Sequence, residues 1–188
     1  GFLSENPELA EICARRGIKF IGPNASVIRQ MGDKIEARKA MTGAGIPCTP
    51  GSDGNLADLD EAVALAKKIG YPVMLKATNG GGGRGIRRCD SEKDLLTNYD
   101  RVISEASKAF GKPEVFLEKC VVHPRHIEVQ VMADSQGNVI HLFERDCSVQ
   151  RRFQKVVEVA PCQNLSAAAK QRIYQYAIDI CKSVNYNN

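Results

Sequence analysis

The sequence predicts an α/β protein of the α+β kind, built on antiparallel sheets. Three observations carry this. Residues 50–120 read as the succession α-β-β-α-β, with a glycine-rich loop between two strand-sized runs. After His123-Pro124 the pattern switches to alternation, with Ile127, Val129 and Val131 separated by Glu128 and Gln130, the mark of a half-buried strand. Residues 1–22 hold one helix and one strand, half of an α/β unit.

In order along the chain, a first helix carries Pro7 in its first turn and Leu9, Ile12 and Cys13 at helical spacing, and Gly17 ends it. Ile18-Lys19-Phe20-Ile21 reads as a strand closing at Gly22-Pro23. Helices follow at 25–31 and 33–44, the second with Asp33 as N-cap and Gly43/Gly45 as its stop. Pro47 to Gly54 is rich in proline and glycine and reads as a boundary or linker. Leu59, Val63, Leu65, Ala66 and Ile69 give an amphipathic helix over 58–69. Tyr71–Leu75 is an apolar strand, and a return strand covers 85–89. Ser91 with Asp94 resembles a capping box and opens a helix reaching about Phe110; Val115–Cys120 is the next strand. Beyond it come the strand at 127–132, a turn at 134–138, and a strand at 139–143 with Glu144-Arg145-Asp146 at its end. Further antiparallel strands at 147–152 and 155–160 and a helix over 166–184 follow.

Composition narrows the function. With 43% apolar residues the chain supports a core without staples. A net charge of +4 suits an anionic small ligand and forms no basic stripe for nucleic acid. The absence of Trp and of aromatic–basic interleaving also argues against nucleic acid. Seven cysteines lie scattered with no CxxC pair, which argues against a disulfide framework or zinc site and for a reducing compartment. No apolar run approaches a membrane span and no signal peptide opens the chain. With Gly1 at one end and a helix just before Asn188 at the other, the chain is expected to be a segment of a longer polypeptide.

The stretch richest in chemistry is Lys76-Ala77-Thr78-Asn79-Gly80-Gly81-Gly82-Gly83-Arg84-Gly85. Its glycines would let backbone N–H groups approach a polyphosphate, with Lys76 and Arg84 adding positive charge. A glycine run alone fits a solvated surface turn equally well, and the Walker pattern GxxxxGK[ST] is absent. Lys34, in a helix's first turn, gains nothing from the helix dipole and reads by itself as a solvated lysine.

Further motifs join this loop. They are Met31-Gly32-Asp33-Lys34, Gly70-Tyr71-Pro72-Val73 leading to Lys76, Glu118-Lys119, Pro124-Arg125-His126-Ile127-Glu128-Val129-Gln130, and Glu144-Arg145-Asp146-Cys147-Ser148-Val149-Gln150-Arg151-Arg152. Together with Gly1–Asn6 they closely resemble the biotin carboxylase component of biotin-dependent carboxylases, members of the ATP-grasp superfamily. The resemblance covers essentially the whole chain. It implies a partial ATP-grasp fold, in which a nucleotide is held between a small lid and a larger antiparallel sheet. Residues 1–22 would be the end of a Rossmann-like domain, 23–49 a helical linker, 50–120 the lid, and 121–188 the first part of the catalytic subdomain.

The resemblance implies MgATP-driven conversion of bicarbonate to carboxyphosphate and carboxylation of biotin on its carrier protein. ATP, Mg²⁺ (or Mn²⁺), bicarbonate, the carrier domain, a carboxyltransferase component and a second copy of the enzyme would be its partners, in the cytoplasm or, in a eukaryote, the mitochondrial matrix. Lys34 and Lys76 would bind ATP phosphates, and the loop carrying Gly81, Gly82, Gly83, Arg84 and Gly85 would close over them. Glu118 and Lys119 would hold adenine largely through the backbone. His126 and Gln150 would help bind the nucleotide, and Lys155 and Arg152 would serve the chemical step. Phosphoryl transfer relies on cationic positioning, which such a set supplies. His126 also fits a satisfied sheet histidine. Arg145, Arg151 and Arg152 could face ligand or pair with Glu144 and Asp146.

Phe153 stands where the family pattern has histidine. No metal ligands are expected within this segment, because the family's metal-binding glutamates, Glu-x-Asn motif and bicarbonate-handling arginine and glutamate would follow Asn188. The segment alone is therefore expected to bind nucleotide weakly and to be inactive. The motifs are shared by carboxylases acting on acetyl-CoA, propionyl-CoA, methylcrotonyl-CoA and pyruvate. A non-catalytic nucleotide-binding module and another ATP-grasp ligase are the alternatives; the latter is weakened by Arg125-His126 and Gln150-Arg151-Arg152.

Overall fold

The computed structural model describes residues 3, 6–78, 85–151 and 154–187. Two compact units emerge: Gly1–Pro47 with Arg125–Gln150 and Lys155–Asn188, and Cys48–Pro124 with Arg151–Gln154. Chain order begins in the first unit with three capped helices. In α1 (Pro7–Arg15) Asn6 Oδ1 accepts from Glu8 N–H at 2.8 Å; in α2 (Ala25–Gly32) Asn24 Oδ1 accepts from Val27 N–H at 3.0 Å. In α3 (Lys34–Gly43) Asp33 Oδ1 accepts from Ile35 and Glu36 N–H at 2.8 and 3.1 Å. Each cap satisfies helix donors that have no partner within the helix.

Ile18–Ile21 is not a strand. An extended run needs a neighbour for its backbone groups, and none of the described strands pairs with it, leaving Ile18 and Ile21 59% and 92% exposed.

The second unit is α4 (Leu59–Ile69), β1 (Val73–Ala77), β2 (Ile86–Cys89), α5 (Glu92–Phe110) and β3 (Val115–Lys119), with antiparallel sheet order β2-β1-β3. Val73, Leu75, Cys89, Val115 and Leu117 bury one sheet face against Ala62, Ala66, Leu95, Tyr99 and Val102. Each large aliphatic residue buried here contributes roughly 1.5–3 kcal/mol. The expected capping box is shifted: Ser91 Oγ does accept from Asp94 N–H, but the Asp94 carboxylate reaches Asp90 N–H instead of that of Ser91.

Pro47–Gly54 does more than connect. Ser52 N–H donates to Leu117 O at 2.8 Å, Lys119 N–H to Pro50 O at 2.7 Å and Leu56 N–H to Val115 O at 2.8 Å, so this segment covers the free edge of β3. The approach requires glycine at 51, where a Cβ would sit 2.4 Å from the Leu117 carbonyl oxygen.

The first unit resumes with β4 (Ile127–Ala133), β5 (Val139–Arg151) and β6 (Gln154–Val159) in the order β4-β5-β6, then α6 (Ala167–Ser183). The expected strands at 139–143 and 147–152 are one strand. Val129 pairs with Glu144 and Val131 with His141, so β5 carries one extra residue there, and Phe143 takes φ +64°. This is a β-bulge, which bends a strand without ending it.

Past the bulge, Glu144 turns inward and is 1% exposed. Lys170 Nζ lies 2.6 Å from Oε1, Cys162 N–H donates to Oε1 at 3.1 Å, and the Tyr174 hydroxyl donates to Oε2. His141 stacks on the Tyr174 ring at 4.1 Å and Phe143 meets both rings edge-on. Burial alone would raise the Glu144 pKa; the bonds from Lys170 and Tyr174 overcome it and bring it down to about 2.

Because the folded pKa lies below that of free glutamate, Glu144 contributes stability that is complete above the unfolded pKa and is lost as pH falls through about 2. The loss of unfolding free energy between pH 5 and pH 2 should therefore be smaller in Glu144→Gln than in wild type, measured by urea titration. Tyr174→Phe should cost about 1–3 kcal/mol at pH 7 by leaving the carboxylate short of a donor.

Candidate functional site

Strand alternation sorts the second unit's residues into two faces. Opposite the core, the pairings of Lys76 with Ile86 and Phe116, and of Met74 with Arg88 and Glu118, put all six side chains on one face. On that face Lys76 Nζ and Glu118 Oε1 form an ion pair, with side chains 23% and 21% exposed. Lys119 points the other way, and its ammonium donates to the Gly70 and Tyr71 carbonyls at 2.9 Å each. The resemblance assigned Glu118 and Lys119 to adenine through their backbones; both side chains have partners within the unit.

At the base of the glycine loop, Gly85 has φ +65° and its carbonyl accepts from Ala77 N–H at 2.7 Å. A Cβ there would lie 2.8 Å from the Ala77 methyl carbon. Gly85 thus has a steric reason of its own. Gly81, Gly82, Gly83 and Arg84, together with Arg152, lie outside the described residues. Lys34 occupies the first position of α3, immediately after its Asp33 cap, and is exposed.

In the first unit a second cluster forms around Glu128. One carboxylate oxygen takes the Lys155 ammonium and His126 Nε2, the latter at 2.9 Å; the other takes Arg145 Nη2 at 3.0 Å. Arg145 Nη1 also donates to Gln130 Oε1 at 2.9 Å, and its Nε lies 3.0 Å from Glu158 Oε2. The hydrogen bond from Lys155 holds the Glu128 carboxyl below the usual range, and the same bond raises the Lys155 ammonium. Gln150 Nε2 donates to Cys147 O at 2.9 Å, which fixes the amide's orientation, and lies 2.8 Å from His126 Nδ1. An amide N–H so placed requires Nδ1 to accept, so the neutral imidazole carries its proton on Nε2, facing Glu128.

The structure therefore brings His126, Gln150 and Lys155 together through Glu128, a residue to which the motif alone gives no role. Its signal was its place two residues after His126 on a strand, on the same face. The alternative pairing of Arg145 with Glu144 or Asp146 is incorrect: Arg145 faces Glu128 across the ladder, while Glu144 points toward α6. Asp146 pairs with Arg125 at 2.7 Å, and the Ser148 hydroxyl and Arg125 hold its carboxyl down to about 2. Arg125 Nη1 donates to Asn164 O at 3.1 Å and Nη2 to Gln163 O at 2.6 Å, tying the 162–164 loop to β5. Among the described residues no three His, Cys, Asp or Glu side chains converge to hold a metal ion.

The two antiparallel sheets each present a lysine paired to a glutamate on a strand face, and the known proteins that match this chain closely place it in the ATP-grasp class of fold. Residues 33–188 match the family described as carbamoyl-phosphate synthase L chain, ATP binding domain, and residues 1–28 match the biotin carboxylase N-terminal domain. A biotin carboxylase from Pseudomonas aeruginosa is 49% identical over 187 residues, covering 99% of this chain and 42% of that one. The crystal structure of a Campylobacter jejuni biotin carboxylase complex with beta-gamma-ATP superposes with TM-score 0.94 at 51% identity, over 100% of this chain and 42% of that one. The biotin carboxylase domain dimer of Hydrogenobacter thermophilus 2-oxoglutarate carboxylase, solved with MgADP, ADP and bicarbonate, gives 0.92 at 50% identity over the same shares. The chain belongs to the carbamoyl-phosphate synthase L chain ATP-binding domain family, as part of a biotin carboxylase domain of biotin-dependent carboxylases. It spans about two fifths of the length of these relatives.

Gly85→Ala tests the loop base. The left-handed φ and the contact with Ala77 should together destabilise the fold by at least about 1–2 kcal/mol, read as a lower denaturant midpoint at unchanged m-value.

Proposed function

We propose that this chain supplies nucleotide-holding residues of a biotin carboxylase, which uses ATP and bicarbonate to carboxylate biotin on a carrier protein through carboxyphosphate. The Glu128 cluster carries the reading: a single half-buried carboxylate gathers Lys155, His126 and Arg145, and Gln150 orients the imidazole. Such an array holds positive charge in fixed positions before any ligand arrives, which is what phosphoryl and carboxyl transfer draw on. Lys155 would meet the bicarbonate or carboxyphosphate anion, and His126 and Gln150 the nucleotide. Lys34 and Lys76 would bind phosphates, with Gly81, Gly82, Gly83, Arg84 and Gly85 closing over them and Arg152 serving the chemical step.

In domain terms, residues 50–120 act as the lid and 121–188 as the first part of the catalytic subdomain, following a Rossmann-like tail at 1–22 and a linker at 23–49. Bound Mg²⁺ would supply charge neutralisation at the phosphates; among the described residues no three His, Cys, Asp or Glu side chains converge to hold it. A carrier domain and a carboxyltransferase component complete the reaction, in the cytoplasm or mitochondrial matrix. The chain alone binds nucleotide weakly and does not turn over.

A chimera tests this. In place of the matching 42% of the Pseudomonas aeruginosa biotin carboxylase, this chain should support bicarbonate-dependent ATP cleavage and biotin carboxylation. Lys76→Gln or Lys155→Gln in the chimera should lower kcat/KM by roughly 100-fold. The isolated chain should release no ADP in response to biotin, and with a Kd on the order of 1 mM, 1 mM ATP should stabilise it by only about 0.4 kcal/mol. A folded chimera that binds ATP without turnover would overturn the carboxylase reading in favour of a non-catalytic nucleotide-binding module.

A further inference from the structure

The Lys76–Glu118 pair sits on a face it shares with Met74, Ile86 and Phe116 and with Arg88. Ile86 and Phe116 flank Lys76 across the sheet and Met74 lies between Arg88, itself paired to Asp90, and Glu118; the Lys76 and Glu118 side chains are both more than three-quarters covered. A lone ammonium there would lack most of its water, so the carboxylate neutralises it in the empty state. Among the described residues, Lys76 is the only side chain that reaches the Glu118 carboxylate. An anion arriving at Lys76 therefore meets a second negative charge already within hydrogen-bond reach of the same ammonium.

We propose that Glu118 is an internal competitor that sets the anion affinity of Lys76. This rests on the nucleotide reading above, but assigns the side chain a task separate from any backbone contact to a base. An ammonium has three N–H donors and can hold both partners at once, so binding need not break the pair. The cost is repulsion between two anions sharing one cation in a poorly hydrated place. Glu118 thereby keeps a polyphosphate loosely held and ready to leave, while sparing the empty face an uncompensated charge.

The test compares sodium tripolyphosphate, which has no base to contact, with ATP, each titrated by NMR into this chain. Wild type, Glu118→Gln, Lys76→Gln and the double variant are measured at low and high salt. Glu118→Gln should bind tripolyphosphate roughly tenfold more tightly at low ionic strength. That gain should narrow as salt screens the carboxylate. In the Lys76→Gln background, Glu118→Gln should change affinity by less than about twofold, because the competition acts through the ammonium. If ATP binds wild type and Glu118→Gln leaves tripolyphosphate affinity unchanged or weaker, the proposal fails while the nucleotide reading stands. An equal gain without Lys76 would reduce the effect to net charge and likewise overturn it. No binding of either probe to any folded variant would remove the nucleotide reading and the proposal together. Should Glu118→Gln not fold, Glu118→Met, of similar length, is held to the same outcomes.

Discussion

The first unit depends on one extra residue in β5. Side chains alternate with a period of two along a strand, so an inserted residue changes which face every later residue presents. The bulge at Phe143 turns Glu144 in toward Lys170 and Tyr174, and puts Arg145 directly opposite Glu128. Core anchoring and charge clustering thus share a cause. Moving the bulge by one position would bury an arginine and expose the carboxylate that holds α6.

Both units solve the same electrostatic problem. A cation held partly out of water to receive an anion is costly to leave uncompensated when the anion is absent, so each site is built against a carboxylate. Glu128 serves the Arg145 and Lys155 cations and the His126 imidazole at 25% exposure, and Glu118 serves Lys76 at 21%. Lys119 shows the alternative solution, a cation neutralised by two carbonyl dipoles and turned away from the charged face.

What the sequence made legible was local. Asp33 and Ser91 announce their helices because a cap is decided within four residues, and both accept the bonds expected of them. The lysine and histidine motifs, taken with the family resemblance, single out Lys76, His126, Gln150 and Lys155, and the structure gives each of these side chains a partner in one of the two clusters. What escaped was decided at a distance. Glu144 finds its partners 26 and 30 positions later on α6, so nothing beside it in sequence could say that Arg145 was not its mate. Ile18–Ile21 has a strand's composition but no described strand beside it, and composition cannot report a missing neighbour. The β5 bulge hid because residues on either side of it still alternate. Glu128 was read as one polar step in that alternation, although it is the centre of the cluster.

The edge bonding of residues 50–56 has a topological consequence. Lys119 N–H reaches Pro50 O at 2.7 Å, so the polypeptide enters and leaves the α4–β3 module at points joined by a hydrogen bond. A module closed in this way is close to circular. Excised at residues 48 and 120, it would need only a short splice to become a ring, and new termini could then be opened elsewhere. Such a piece is transplantable: it can be lifted out of one polypeptide and seated in another without its strand order being rewritten.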